Sequence, residues 1–355
     1  MKTSDIIILG AGIIGLSLAL ELKRRGFQVM LIERSEPGQE ASHAAAGMLA
    51  AFDPEHPAAL RELAAYSLES YPAFLQLVQE DSGITIPVEE NGAIVVGGES
   101  LGCQEIRQIA PTEALRLEPG LGVSDLPLAL VSERRLDPRT LLRALVAAAK
   151  HKNIDFATGS GVVDVCCSTA GVTVVTNHSK YTAANVVNCC GAWAGTFGPL
   201  AFPLRPIKGQ IFSVLPKSQN LLRRTVRGAD VYLVPRTDGR IVIGATAEDI
   251  GFDKRVEPDV IQRLHQAAAV LVPEIGDARI LEAWSGLRPA TRDSLPIMGP
   301  TPIANYFVST GHFRNGILLA PASAAIVADA IMGIAPEIDV TPFAATRFRN
   351  LVHAA

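Results

Sequence analysis

Residues 5–26, DIIILGAGIIGLSLALELKRRG, decide how this chain is read. Ile6-Ile7-Ile8-Leu9 is a run of branched apolar residues of the kind that fills a buried parallel strand. Gly10, Gly12 and Gly15 follow it in G-x-G-x-x-G order. At a strand-to-helix turn the first glycine permits the tight turn and the second lets the backbone approach a pyrophosphate. The third lets helix and strand pack closely. The start of the helix supplies free N–H groups and a positive dipole end to phosphates. Lys23, Arg24 and Arg25 crowd its far end, where the dipole favours cations, and Gly26 caps it. A second strand, Gln28 to Ile32, ends in Glu33, near the spacing of ~20 residues at which a carboxylate meets an adenosine ribose. An acid there favours free ribose hydroxyls over a 2′-phosphate. The rival reading, a secretory leader begun by Lys2, is opposed by Asp5, the glycines and the charged residues that close the same helix.

With 355 residues the chain is long enough for two domains that share a cleft, and 48% hydrophobic residues supply a large core. A net charge of -4 and scattered Lys and Arg argue against nucleic acid as a partner. Cys166-Cys167 and Cys189-Cys190 are adjacent pairs, which zinc spacing does not use, and Cys103 stands alone. Set in apolar runs, the five cysteines are expected to be buried thiols in a reducing cytoplasm. No stretch approaches the ~20 uninterrupted apolar residues of a membrane span.

The rest of the chain does not continue as a regular alternation of strand and helix. EASHAAAGMLA (40–50) permits either close approach to a bulky planar ligand, with Ser42 as a hydroxyl donor, or an Ala-rich core helix. AANVVNCCGAWAG (183–195) is a buried strand breaking into a glycine turn at Gly191, and residues 162–165 and 171–176 alternate like a hairpin. In YFVSTGHFRNGILLAPASAAIVADAIMG (306–333) a strand, Tyr306 to Ser309, leads through a loop with Gly311 and Gly316 into a helix from Pro321 to Met332. The positive end of such a helix suits the charge that a reduced flavin develops around N1 and the C2 carbonyl. Two glycine loops at opposite ends of the chain suit a long dinucleotide such as FAD.

These stretches carry a resemblance. The chain resembles the FAD-dependent D-amino acid oxidase family, and within it the glycine oxidases of thiamine biosynthesis. The likeness rests on residues 10–15 and 44–49, Tyr232 to Arg236, Gly244-Ala245-Thr246, Trp284 to Pro289 and Gly311 to Pro321. It implies an α/β fold: a Rossmann-like FAD-binding domain with a substrate domain built on a mixed, largely antiparallel sheet. The expected division is 1–80, 140–200 and 280–355 for FAD, and 81–139 and 201–279 for substrate. Besides Gly10, Gly12 and Gly15, it places Ile13, Ile14, Glu33, Arg34, Ala41, Ser42, Ala46, Gly47, Met48 and Val163 at the cofactor, with the Gly191 and Gly311 turns. His312, Phe313, Arg314, Asn315, Gly316, Ile317 and Leu318 complete that set. Homo-oligomers are common in such a family, and the resemblance extends that expectation to this chain.

For the substrate, the resemblance makes Arg288 the carboxylate-binding residue, a role that suits a planar guanidinium binding both oxygens. Tyr232 assists with its hydroxyl, Met48 packs near the ring, and Arg314 holds either the carboxylate region or the flavin's pyrimidine edge. The implied reaction is oxidative deamination of glycine or another small amino acid by hydride transfer to flavin N5, giving imine or 2-oxo acid, ammonia and hydrogen peroxide. A D-amino acid or sarcosine oxidase, or a dehydrogenase with a non-oxygen acceptor, is the alternative. No residue is assigned as general acid or base, and His312 is read as packing on the cofactor. Asp230 and Ala247 depart from the family pattern, and the small Ala247 is expected to widen the pocket. No cysteine follows Cys190, so FAD is expected to be bound without a covalent link.

Overall fold

The computed structural model describes residues 3–97, 105–122, 125–348 and 351. Cys103 and His353 lie outside the described residues.

The opening run forms strand Thr3–Leu9 at the centre of an eight-stranded sheet. It pairs in parallel with Val29–Ile32 on one side and Lys180–Asn188 on the other. Asp155–Ala157 and Tyr306–Thr310 extend the parallel array at either end. Ile6 and Ile8 enter one hydrophobic cluster while Ile7 and Leu9 enter another. The strand is covered on both faces, which is why its sequence is continuously apolar. The hairpin of Val162–Ser168 and Gly171–Thr176 adds antiparallel strands at the edge. That edge position exposes one of its faces, so Cys166 is exposed rather than buried, contrary to expectation. Cys167, Cys189 and Cys190 are partly or fully buried, and all four are free thiols.

The helices Ile13–Arg24, Arg61–Ser82, Pro138–His151 and Gly316–Met332 pack together on one face of this sheet. The last begins at Gly316, more than a turn before the expected start at Pro321. Pro321 removes the N–H that would bond the Ile317 carbonyl. The Tyr71 hydroxyl donates to that carbonyl instead, and Ser67 Oγ donates to the next one, Leu318, at 2.7 Å. The interior proline is therefore accommodated by two side chains from a neighbouring helix.

The second sheet also has eight strands, in the spatial order 279–290, 205–215, 241–244, 232–235, 225–227, 93–96, 128–131 and 106–109. All its pairings are antiparallel except that of 225–227 with 93–96. Strand Arg279–Ala290 pairs with Arg205–Leu215 along almost its whole length. It therefore belongs to this sheet, whereas the expected division put residues from 280 onward with the nucleotide-binding part. Helix Pro258–Leu271 covers the sheet with Val260, Ile261, Leu264 and Ala268, one buried stripe at helical spacing.

Candidate active site

A cavity of about 560 Å³ opens where the carboxyl ends of the parallel strands meet a face of the second sheet. That size lies within the roughly 300–1,000 Å³ of small-molecule sites. It runs from the glycine turn at residues 10–12 to Arg288 and Tyr232.

The first glycine turn is held by contacts that exclude a side chain. Gly10 adopts φ +93°, and a Cβ there would lie 2.7 Å from the Cys189 carbonyl oxygen. A Cβ on Gly15 would lie 2.0 Å from the Gly10 carbonyl oxygen, so helix Ile13–Arg24 can approach the strand only with glycine there. The helix has no side-chain N-cap of its own; Ser42 Oγ accepts from the Ile13 N–H at 3.1 Å. Glu33 accepts from the Ala11 N–H at 2.8 Å and from the Ser35 N–H at 3.1 Å, which fixes its carboxylate beside the turn. Arg34 stacks over Trp193, 3.8 Å from the ring centroid, and pairs with Glu40.

The second glycine loop ends in the N-terminus of helix Gly316–Met332, which also has no side-chain cap and opens on the cavity. Two helix starts whose own N-cap residues give no side-chain cap open on one cavity, a cradle that suits the pyrophosphate and the reducible ring of a dinucleotide. His312, beside the second start, is buried, with Nε2 2.9 Å from Ser323 Oγ. Burial pushes its pKa down to about 3, so its ring is neutral.

Of the residues expected at the cofactor, Gly10, Gly12, Ile13, Ile14, Glu33, Arg34, Ala41, Ser42, Ala46, Gly47, Met48 and Gly191 line the cavity. His312, Phe313, Arg314, Asn315, Gly316 and Ile317 line it as well. Four do not. Gly15 sits between helix and strand, and Leu318 faces the helical core. At Gly311 a Cβ would meet Thr291 at 2.8 Å, so this glycine packs against protein. Val163 is 61% exposed; alternation along the edge strand turns Val162 to the cavity in its place. Only Ala41–Ala44 of the Ala-rich stretch is helical, and most of residues 40–48 form cavity wall.

At the other end, Arg288, Tyr232 and Met48 all line the cavity. Arg288 Nη1 donates to the Thr246 carbonyl at 2.8 Å, and the Tyr232 hydroxyl is close enough to act on the guanidinium's charge. Among the described residues no carboxylate lies within salt-bridge distance of Arg288. Burial pulls its pKa below the usual range; the Tyr232 hydroxyl opposes this, and the positive charge of Arg314 adds to it. Burial likewise raises the Tyr232 pKa, against the pull of Arg288, so its hydroxyl keeps its proton.

Arg314 lines the cavity from a loop beside the second helix start. It is half exposed and pairs with Glu55 at 2.7 Å on the rim. Ala247 is exposed and lies off the cavity wall, so it does not widen the pocket. Asp230 does line the cavity.

Several wall residues escaped the sequence reading. Arg227 lines the cavity and pairs with Asp53 at 2.8 Å and Glu133 at 3.4 Å. Asp53 and Glu55 share one loop with His56, whose Nε2 donates to Asn315 Oδ1 at 3.1 Å. That loop is thus tied to both sides of the cavity. Gly209 lies under the guanidinium of Arg288, where a Cβ would come within 2.4 Å. The strand pairing that aligns Gly209 with Gly286 creates this slot, and no local motif announces it.

Residues 5–330 match the family described as FAD dependent oxidoreductase, DAO. The chain belongs to this family. FAD is its cofactor, and the cradle above fits that assignment. Glycine oxidase of Geobacillus kaustophilus is 33% identical over 97% of this chain and 97% of its own length. The crystal structure of that glycine oxidase superposes with a TM-score of 0.93 at 31% identity, covering 99% of this chain and 100% of the other. The bifunctional protein ThiO/ThiG of Trichormus variabilis is 38% identical over 98% of this chain, which spans 56% of that protein. The chain thus covers about half the length of this bifunctional relative.

Proposed function

We propose that the chain oxidises the Cα–N bond of glycine or another small amino acid, giving an imine that hydrolyses to the 2-oxo acid and ammonia, with oxygen reduced to hydrogen peroxide. One observation carries this reading: a buried guanidinium with no carboxylate partner among the described residues lines the same cavity as the cofactor cradle. Similarity to glycine oxidase supports the substrate class. The resemblance to glycine oxidases of thiamine biosynthesis supports that pathway as the destination of the product.

When bound, FAD supplies a two-electron acceptor for the hydride of the substrate Cα–H. The cavity-lining residues of the two glycine loops, residues 40–48 and Glu33 would hold it. Arg288 then binds both carboxylate oxygens of the amino acid, and the Tyr232 hydroxyl donates a further hydrogen bond. Fixing the carboxylate at one end orients Cα, and orientation is the main demand of a hydride transfer. His312 is neutral and already bonded to Ser323, so it packs and takes no proton. Substrate enters with its amine unprotonated, and no side chain is needed as base.

The FAD is held without a covalent link; a yellow pellet after acid precipitation would contradict this. Free thiols among the described residues fit a reducing cytoplasm, and a homo-oligomer follows from the resemblance. The direct test is peroxide and ammonia release from glycine under air by the purified chain. Ammonia without peroxide, in the presence of an artificial acceptor, identifies a dehydrogenase instead. A wider substrate range, including sarcosine or D-amino acids, has support in the apolar wall of Val95, Ile106, Ala129 and Val131 that continues the cavity.

A further inference from the structure

Behind Arg288 lies a polar network that the reaction above does not use. Thr246, whose carbonyl accepts from Arg288, bonds through its hydroxyl to Glu248 and accepts from the Gln210 N–H at 2.8 Å. Gln210 Nε2 donates to Glu248 Oε1 at 3.0 Å, and Gln210 Oε1 accepts from the Glu257 N–H at 2.7 Å. Lys208, two residues before Gln210 on the same strand, has its side chain fully buried. Its Nζ lies 2.9 Å from Glu257 and 3.7 Å from Glu248. Between them, Gly209 provides the slot for the guanidinium.

A fully buried ammonium is expensive to desolvate, and good pairing is needed to offset it. Here the pairing has a consequence for Arg288. Glu248 is the acid whose field reaches that guanidinium, yet it is turned toward Thr246, Gln210 and Lys208 and makes no ion pair with it.

We propose that Lys208 is a positioning residue that sets affinity for the substrate carboxylate: together with Gln210 it holds Glu248 away from Arg288, leaving the guanidinium open to a carboxylate from outside. The inference rests on the reading of Arg288 as the carboxylate-binding residue. Without the ammonium, Glu248 loses a cation 3.7 Å away, and the pull of Arg288, already linked to it through Thr246, is left unopposed. An internal Glu248–Arg288 pair then competes with substrate.

The test uses the FAD-loaded protein and acetate, a carboxylate with no amine to oxidise, followed by perturbation of the visible flavin spectrum. Lys208→Met is expected to raise the acetate Kd about tenfold or more, the range of one displaced charge-assisted pair. The same variant raises KM for the amino acid while kcat changes much less. Glu248→Gln alone binds acetate at least as tightly as the parent, and Lys208→Met/Glu248→Gln returns Kd to within about twofold of it. An unchanged Kd in Lys208→Met overturns the proposal, as does a double variant as weak as the single. If Lys208→Met fails to fold, weaker acetate binding by Glu248→Gln alone overturns it. Arg288→Ala separates the two claims: acetate binding that survives this change contradicts the role of Arg288 itself, whatever Lys208 does.

Discussion

In the proposed reaction Arg288 carries the substrate carboxylate, and it is buried with no carboxylate in salt-bridge distance among the described residues. Arg288→Ala removes a buried, charge-assisted contact and is expected to weaken amino acid binding by about 2–5 kcal/mol, read from KM and from inhibitor titration, with FAD content unchanged. Gly209→Ala forces a Cβ to within 2.4 Å of the guanidinium and is expected to raise KM as well, because Arg288 is kept but its guanidinium must shift. His312 gives a pH signature. Its folded pKa of about 3 lies below the ordinary 6.5, so the unfolded chain takes up a proton first as pH falls. This group's contribution to stability is full above about pH 6.5 and is lost at about 1.4 kcal/mol per unit between there and about pH 3. Urea midpoints of the apoprotein at pH 7 and pH 5 should draw apart less in His312→Gln than in the parent. At this scale the sequence was partly legible. Arg288, Tyr232 and Glu33 stand in recognisable motifs, and all three line the cavity. Gly209, His56 and Arg227 do not, because each matters through a residue brought near by the fold: Arg288, Asn315 and Asp53.

Elements show a similar division. Strand Thr3–Leu9, the helix after it and the edge hairpin follow from apolar runs, glycines and alternation. The final helix is expected from Pro321; it begins at Gly316, where Tyr71 and Ser67 bond the Ile317 and Leu318 carbonyls beside the interior proline. Those donors lie on another helix, beyond the reach of any local pattern. Tyr71→Phe leaves the Ile317 carbonyl unpaired in a buried setting, and about 1–3 kcal/mol of apoprotein stability should be lost in urea unfolding. A loss near zero would show that the carbonyl finds another donor. Gly15→Ala tests the opposite end of the cavity: helix Ile13–Arg24 must move off the strand, and FAD retained on gel filtration should fall sharply while the helical signal persists.

Across the whole molecule, residues from the ends of one sheet and from a face of the other line one cavity, and the proposed cofactor site draws on both. The two-part fold was expected from the family resemblance of the glycine loops and later motifs. The place of residues 279–290 was not, since membership of a sheet is decided by partners and the partner strand, 205–215, lies far upstream. Ligand that binds only the folded state stabilises it by mass action. FAD at about one hundred times its Kd is expected to add about 2.7 kcal/mol, seen as a higher melting temperature for holoprotein than apoprotein. The account turns on an amino acid being held by Arg288 within reach of that flavin. The most direct measurement mixes the FAD-loaded chain anaerobically with glycine, sarcosine, D-alanine and D-proline and follows the visible flavin band. Bleaching by at least one of them, lost in Arg288→Ala, is the predicted result; a chain that holds FAD yet keeps its full absorbance with every one of them contradicts the account.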